Sequence, residues 1–270
     1  MQSDVKTHPA RIRQLTAVRY YLQEVLWRCE RSWQHGTYGV SNYRTFIDQI
    51  AHWTKPEEQV CLVTFNYDRL LEAGMPAVGL NIRQFPDYIS DQKFKLIKLH
   101  GSINWARLIG GRLDGIDQMS GMDVVNAVIS RAGQLEISND FWIGELCPIT
   151  KDRSRMLLPA IAVPVQDKTA FECPESHFNV LLECIPNVSR LLIVGWRGVE
   201  NHFKNLLAER LTSPIPTHIV AGSVAGGHET LGNLNGAGIR TAFVKGTTAL
   251  YEGGFSAFVV NRAAKDFLCN

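Results

Sequence analysis

The sequence predicts an α/β fold: a doubly wound, mostly parallel sheet with helices on both faces. Two observations predict it. Short apolar runs without alternation, rich in β-branched residues, recur at 60–65, 94–99, 156–163, 191–195, 217–221 and 240–244. A strand covered on both faces reads this way because neither face meets water. Amphipathic helical patterns accompany these runs, and a strand, a helix and a further strand are the unit from which parallel sheets are wound. With 270 residues, 45% of them hydrophobic and 20% charged, the chain suits a single domain over 1–270 with a sizeable core.

The first helix is expected over 12–33, where Leu15, Val18, Leu22, Val25, Leu26 and Cys29 recur at threes and fours. "HGTYG" at 35–39 then reads as a loop, and Phe46, Ile47 and Ile50 mark a second helix over 43–53 that Lys55-Pro56 ends. "VCLVTF" at 60–65 is the first strand and 94–99 the second, with Lys93, Lys95 and Lys98 read as a solvated edge. The stretch 106–150, with weak periodicity and the glycines of "IGGRLDG", reads as a small helical insertion. "LLPAIAVPVQDK" at 157–168 holds a strand with prolines. A helix follows over 198–212, with Val199, Phe203, Leu206, Leu207 and Leu211 on one face and Glu200 set to pair with Lys204. "AGSVAGGHETLGNLNGAG" at 221–238 reads as a glycine-rich loop, because it lacks the GxGxxG spacing that opens a phosphate-binding helix.

Bulk properties remove several function classes. A formal charge of +2, from 28 basic and 26 acidic residues without a like-charge run, gives no support for a nucleic-acid partner. The six cysteines lie far apart without a CxxC pair, so they are expected to be reduced, and no metal site is expected. The opening residues lack a secretion signal, and no apolar run approaches the ~20 residues of a membrane helix. No membrane partner and a cytoplasmic location are expected.

Ligands of an open α/β sheet bind beyond the carboxyl ends of its strands, where helix amino termini and loop N–H groups converge. The informative residues are therefore Thr64, Asn66 and Asp68 at the first strand end, His100 and Gly101 at the second, and Gly195, Trp196 and Arg197 at the end of 191–195. Asn66 offers two donors and an acceptor and Asp68 an acceptor. Together they hold an amide or a ribose, or else form a turn and its cap. His100 is either a base with an unperturbed pKa of about 6.5 or the polar end of a strand. Taken singly, each residue keeps both readings.

The combination says more. "LVTFNYDRLLE" at 62–72, "IKLHGSINW" at 97–105 and "LLIVGWRGVENHF" at 191–203, in that order, resemble the SIR2-like (sirtuin-related) family over roughly residues 60–262. The resemblance implies a Rossmann-like sheet and NAD as substrate. The implied activity is that of the bacterial SIR2-like branch, a glycohydrolase cleaving NAD to nicotinamide and ADP-ribose, commonly in antiphage defence. Two alternatives stand beside it: a non-catalytic module that binds NAD, ADP-ribose or a protein partner, and an NAD-dependent protein deacylase. The family's zinc module is absent, which disfavours the deacylase. Besides the dinucleotide, the resemblance leaves a homo-oligomer or a defence-system protein as partner.

By the same resemblance, Asn66 and His100 are catalytic, His100 as general base on a ribose hydroxyl or a water. Asn66 and Asp68 hold the nicotinamide end and its ribose, Gly195 lets the backbone approach the cofactor, Arg197 pairs with a phosphate, Gly222 and Ser223 border the adenosine, and Thr64 and Gly101 complete the cofactor-binding set. The chain departs from the family at its beginning, where a strand and a Gly-rich phosphate loop are expected and a helix stands instead. The sheet is accordingly expected to lack its first strand. Phe65, Arg197 and Glu200 replace the family's usual Gln or Thr, Ser and Asp.

Overall fold

A computed structural model describes residues 8–37, 41–111, 114–144, 146, 148–163, 171–242 and 250–269. Two helices open the chain, α1 (Pro9–Thr37) and α2 (Asn42–Trp53), the second capped by Ser41, whose side chain accepts from the Arg44 N–H. Strand β1 (Val60–Thr64) leads into the short helix α3 (Leu70–Gly74), followed by β2 (Phe94–Lys98) and β3 (Gly101–Ile109). Helix α4 (Gly121–Arg131), β4 (Ile137–Ile143) and β5 (Leu157–Ile161) come next. The last part alternates α5 (Glu175–Cys184), β6 (Leu191–Val194), α6 (Asn201–Arg210), β7 (Ile215–Val220) and α7 (Val224–Gly236). It ends with β8 (Thr241–Ala242), β9 (Leu250–Tyr251), α8 (Gly254–Val260) and α9 (Lys265–Cys269).

The chain is a mixed α/β protein with two parallel half-sheets. One pairs β1 with β2; the other runs β6–β7, with β8 and β9 both lying parallel along β7. Alternate side chains of both half-sheets enter the same two cores. Leu62, Leu96, Leu192, Val194 and Val220 pack with Phe46, Ile47 and Ile50 of α2 and Phe258 and Val259 of α8. Cys61, Val63, Ile97, Ile193 and Ile219 pack on the other side with Leu181 of α5, Phe203 and Leu207 of α6 and Leu234 of α7. Helices thus cover both faces. Yet β1 is half-buried along its whole length, where the sequence implied full burial.

Other expectations change. The 106–150 insertion is not helical alone: besides α4 it holds the end of β3 and all of β4, and β4 joins β3 and β5 in a separate antiparallel sheet. Its polar sequence "ISNDFWI" conceals a strand whose side chains are exposed or only half-buried. The proline-bearing strand is therefore antiparallel, and residues 164–168 of that motif lie outside the described residues. The 221–238 stretch is largely a helix, not a loop: Ser223 caps α7 by accepting from the Gly226 N–H at 3.2 Å, and Gly238, at φ +84°, closes it. Glu200 accepts from the Trp196 indole instead of pairing with Lys204. The five described cysteines are free, and Cys147 lies outside the described residues.

The lysines are not a solvated edge. Lys93 Nζ donates to the carbonyls of Ala51, Thr54 and Lys55 at the end of α2, where a cation suits the helix terminus. Lys95 Nζ donates to Ile89 and Asp91 carbonyls, and Lys98 is fully buried.

Against Tyr88 and Trp105 lies His177, fully buried, with Nε2 bonded to the Phe85 carbonyl at 3.0 Å and Nδ1 unpartnered. Burial pushes its pKa down from 6.5 to about 4. Because the folded value lies below the unfolded one, the unfolded chain binds the extra proton between those values. Stability is therefore full above pH 6.5 and is lost as pH falls towards 4. The loss is about 3 kcal/mol at ~1.4 kcal/mol per pKa unit. Urea unfolding across this window is expected to show a pH slope that His177→Gln flattens; an unchanged slope sinks the assignment.

Candidate functional site

The carboxyl ends of β1, β2, β6 and β7 lie on one side of the two half-sheets, and the residues expected to be functional follow those ends. The first group is compact. Asn66 stands exposed, its backbone N–H donating to Thr64 Oγ1 at 3.1 Å, while Thr64 O accepts from the Leu99 N–H at 3.1 Å. Asp68 Oδ1 accepts from the Leu70 N–H at 3.0 Å, the turn-and-cap geometry, which leaves its other oxygen free of any protein hydrogen bond among the described residues. His100 is only 5% exposed, with its ring 5.0 Å from Phe65 and 6.2 Å from Tyr67, centroid to centroid.

The Asn66–Arg69 turn is held from three directions. From β3, the Ile103 N–H and Ser102 Oγ donate to the Tyr67 carbonyl at 2.9 and 3.2 Å, and the Tyr67 hydroxyl donates to Ala162 O at 2.7 Å. From α1, the buried Glu30 carboxylate takes the Arg69 backbone N–H at 2.7 Å and the guanidinium at 2.6 and 2.8 Å, with Arg69 also stacked over Trp27. From beneath, Lys98 Nζ donates to the Asp68 carbonyl. Such bracing keeps a polar turn in one geometry, which binding and catalysis both need.

Sequence reasoning missed Tyr43. Its phenol lies near the Asn66 side chain and Asp68; burial raises its pKa above the ordinary 10, the Asp68 charge adds to this, and the Asn66 side chain opposes it. The Tyr67 phenol is raised by burial and then by the Glu200 charge. Tyr43 on a helix before β1 carries no local signal of this role. Only the fold sets it beside the turn.

Gly195 and Arg197 follow β6. Gly195 has φ +66°, and a Cβ there would meet nothing within 4 Å, so the turn requires the glycine while the space beside it is open. Arg197 is exposed, and its carbonyl accepts from Asn233 Nδ2 at 2.8 Å. Trp196 stacks on Phe65 at 5.5 Å, joining the ends of β6 and β1. Gly222 and Ser223, both exposed, follow β7; Ser223 lines a cleft of about 550 Å³ with Val224, Gly227, Tyr251, Glu252 and Gly253. Phe255, two residues after the cleft's Gly253, lies 4.9 Å from the Tyr43 ring.

The structure therefore sets Thr64, Asn66 and Asp68 at the end of β1 and His100 and Gly101 at the end of the adjacent β2, joins the end of β6, with Gly195 and Arg197, to them through Trp196, and places Ser223, next to Gly222, at the cleft beside α7. Among the described residues no three His, Cys, Asp or Glu side chains are arranged to hold a metal ion, and no helix is long and apolar enough to cross a membrane. The chain matches no protein-family model, no curated protein and no solved structure.

Proposed function

We propose that this chain is a SIR2-like NAD glycohydrolase core, built on a Rossmann-like, doubly wound sheet of which the two parallel half-sheets are the parts. One observation supports the reading: Asn66 and Asp68, on a rigidly braced turn, and His100 follow the carboxyl ends of two adjacent parallel strands, with Phe65 and Tyr67 of the first against the His100 ring. Asn66 orients the leaving amide, Asp68 accepts from a ribose hydroxyl, and His100 takes the proton as water attacks the anomeric carbon and nicotinamide departs. The cleft at the amino end of α7 suits the adenosine end.

One observation favours a second reading, an NAD or ADP-ribose binder without turnover: the 5% exposure of His100 leaves little access for a reacting water. Product analysis beside a binding isotherm separates the two. As an enzyme, the chain is expected to release nicotinamide and ADP-ribose slowly, with His100→Ala lowering the rate by about 10² or more and Asn66→Ala also lowering it. Saturable binding without release supports the second reading. Equal release by wild type and both variants, or neither binding nor release, overturns the proposal.

A further inference from the structure

The free edges of β1 and β6 face one another across a gap. On β1, the Val60 N–H donates to Lys93 O at 2.7 Å and Thr64 O accepts from Leu99, so Val60, Leu62 and Thr64 turn their backbone groups towards β2. Parallel ladders alternate by residue, which points the N–H and C=O of Cys61 and Val63 the other way. On β6, the Gly195 N–H donates to Val220 O at 2.9 Å, so Leu191 and Ile193 address β7, and Leu192 and Val194 point away from it. Among the described residues no backbone hydrogen bond joins β1 to β6.

The two strands nevertheless lie in one layer and run the same way. Arg190, just before β6, is ion-paired with Glu58, just before β1, and Trp196, just after β6, stacks on Phe65, just after β1. Their side chains share a core on each face. Exposure is also concentrated here: β1 is half-buried throughout and β6 at three of four residues, whereas β2 is buried at four of five. Inner strands of a parallel sheet are normally the best covered.

We infer that this gap is a docking slot for one extended polypeptide strand, running parallel to β1 and β6 and supplied from outside this 270-residue chain. The slot's chemistry defines the occupant. The backbone groups of Cys61, Val63, Leu192 and Val194 ask for an extended backbone with donors and acceptors on both edges. Both faces are apolar, which selects about five uncharged, β-branched residues, the length of β1. By sequence, the stretches 1–7, 164–170 and 243–249 are poor sources, because Asp4, Lys6, Asp167, Lys168 and Lys245 place charge where both faces are apolar. The inference rests on the sheet and not on the NAD reading.

Amide hydrogen exchange tests it. In the chain alone, the amides of Cys61, Val63, Leu192 and Val194 are expected to exchange much faster than the alternating amides of Leu62 and Ile193. The probe is a peptide of five alternating valines and isoleucines flanked by lysines, added in trans and also fused through a flexible linker. It is expected to protect the four amides by ~100-fold or more. A proline-interrupted peptide of the same length should not, and Val63→Pro or Val194→Pro, which spare both existing ladders, should abolish the protection. Protection already present in the dilute chain overturns the slot, as does equal protection by the interrupted peptide or none by either. Protection that grows with chain concentration alone assigns the slot to a second copy and overturns the outside strand. NAD binding is unaffected as a criterion, so failure here leaves the functional reading to its own assay.

Discussion

Gly101→Ala is expected to destabilise the chain by about 4 kcal/mol or more, a large share of an ordinary domain's ~5–15 kcal/mol. Here the chain leaves the parallel pair β1–β2 and enters the antiparallel sheet within two residues. The Leu99 N–H still donates to Thr64 O, the Ala162 N–H donates to the His100 carbonyl, and Gly101 is already paired with Ile161. A Cβ on Gly101 would lie 1.8 Å from the Ala160 carbonyl oxygen and 2.8 Å from its carbon, backbone that cannot rotate aside, and φ is +80°. Gly79→Ala isolates the conformational part, since φ is +78° and a Cβ there meets nothing within 4 Å. That variant should cost only about 1–2 kcal/mol. Chemical denaturation of both variants checks the contrast; equal costs would falsify the steric account. Gly101 thus has a packing reason to be glycine, independent of any ligand.

The sequence was most legible where burial is two-sided. The runs at 60–65, 94–99, 191–195 and 217–221 announce β1, β2, β6 and β7 because a strand between two helical layers has no polar side, and α1, α2 and α6 announce themselves by their apolar stripes. It was least legible where tertiary contact overrides local preference. Nothing in "ISNDFWI" alternates clearly, because β4 meets the core only weakly. The glycines of α7 argue against a helix, but Gly227 packs closely under the Leu250 side chain, 3.1 Å from where its Cβ would sit, and a serine cap starts the helix despite them.

The site divides in the same way. Asn66, Asp68 and His100 stand out as polar residues directly after apolar runs, the one local mark of a strand end. Their supports carry no such mark. Glu30 and Arg69 are 39 residues apart and Lys98 and Glu72 are 26 apart, so each charge looks like ordinary surface until the fold pairs it.

The Lys98–Glu72 pair sets the second large effect. Lys98 is fully buried and Glu72 is nearly so, with Nζ 2.9 Å from Oε1; Tyr88 also donates to that oxygen at 3.0 Å, and Trp105 donates to Tyr88 at 3.2 Å. Glu72 Oε2 has no partner, so the carboxylate depends heavily on Lys98 for its neutralisation. Lys98→Met is expected to cost about 3–5 kcal/mol, because it strands a buried charge. Lys98→Met combined with Glu72→Gln removes both charges while keeping an acceptor for Tyr88, and should recover most of that loss. The recovery does not extend to the turn above, since the Asp68 carbonyl still lacks the Nζ donor. Denaturation should therefore show the double variant near wild-type stability while exchange of the turn amides, Tyr67 to Leu70, stays faster than in wild type. A double variant as unstable as Lys98→Met alone assigns Lys98 to packing; one with wild-type exchange shows that Lys98 does not hold the turn.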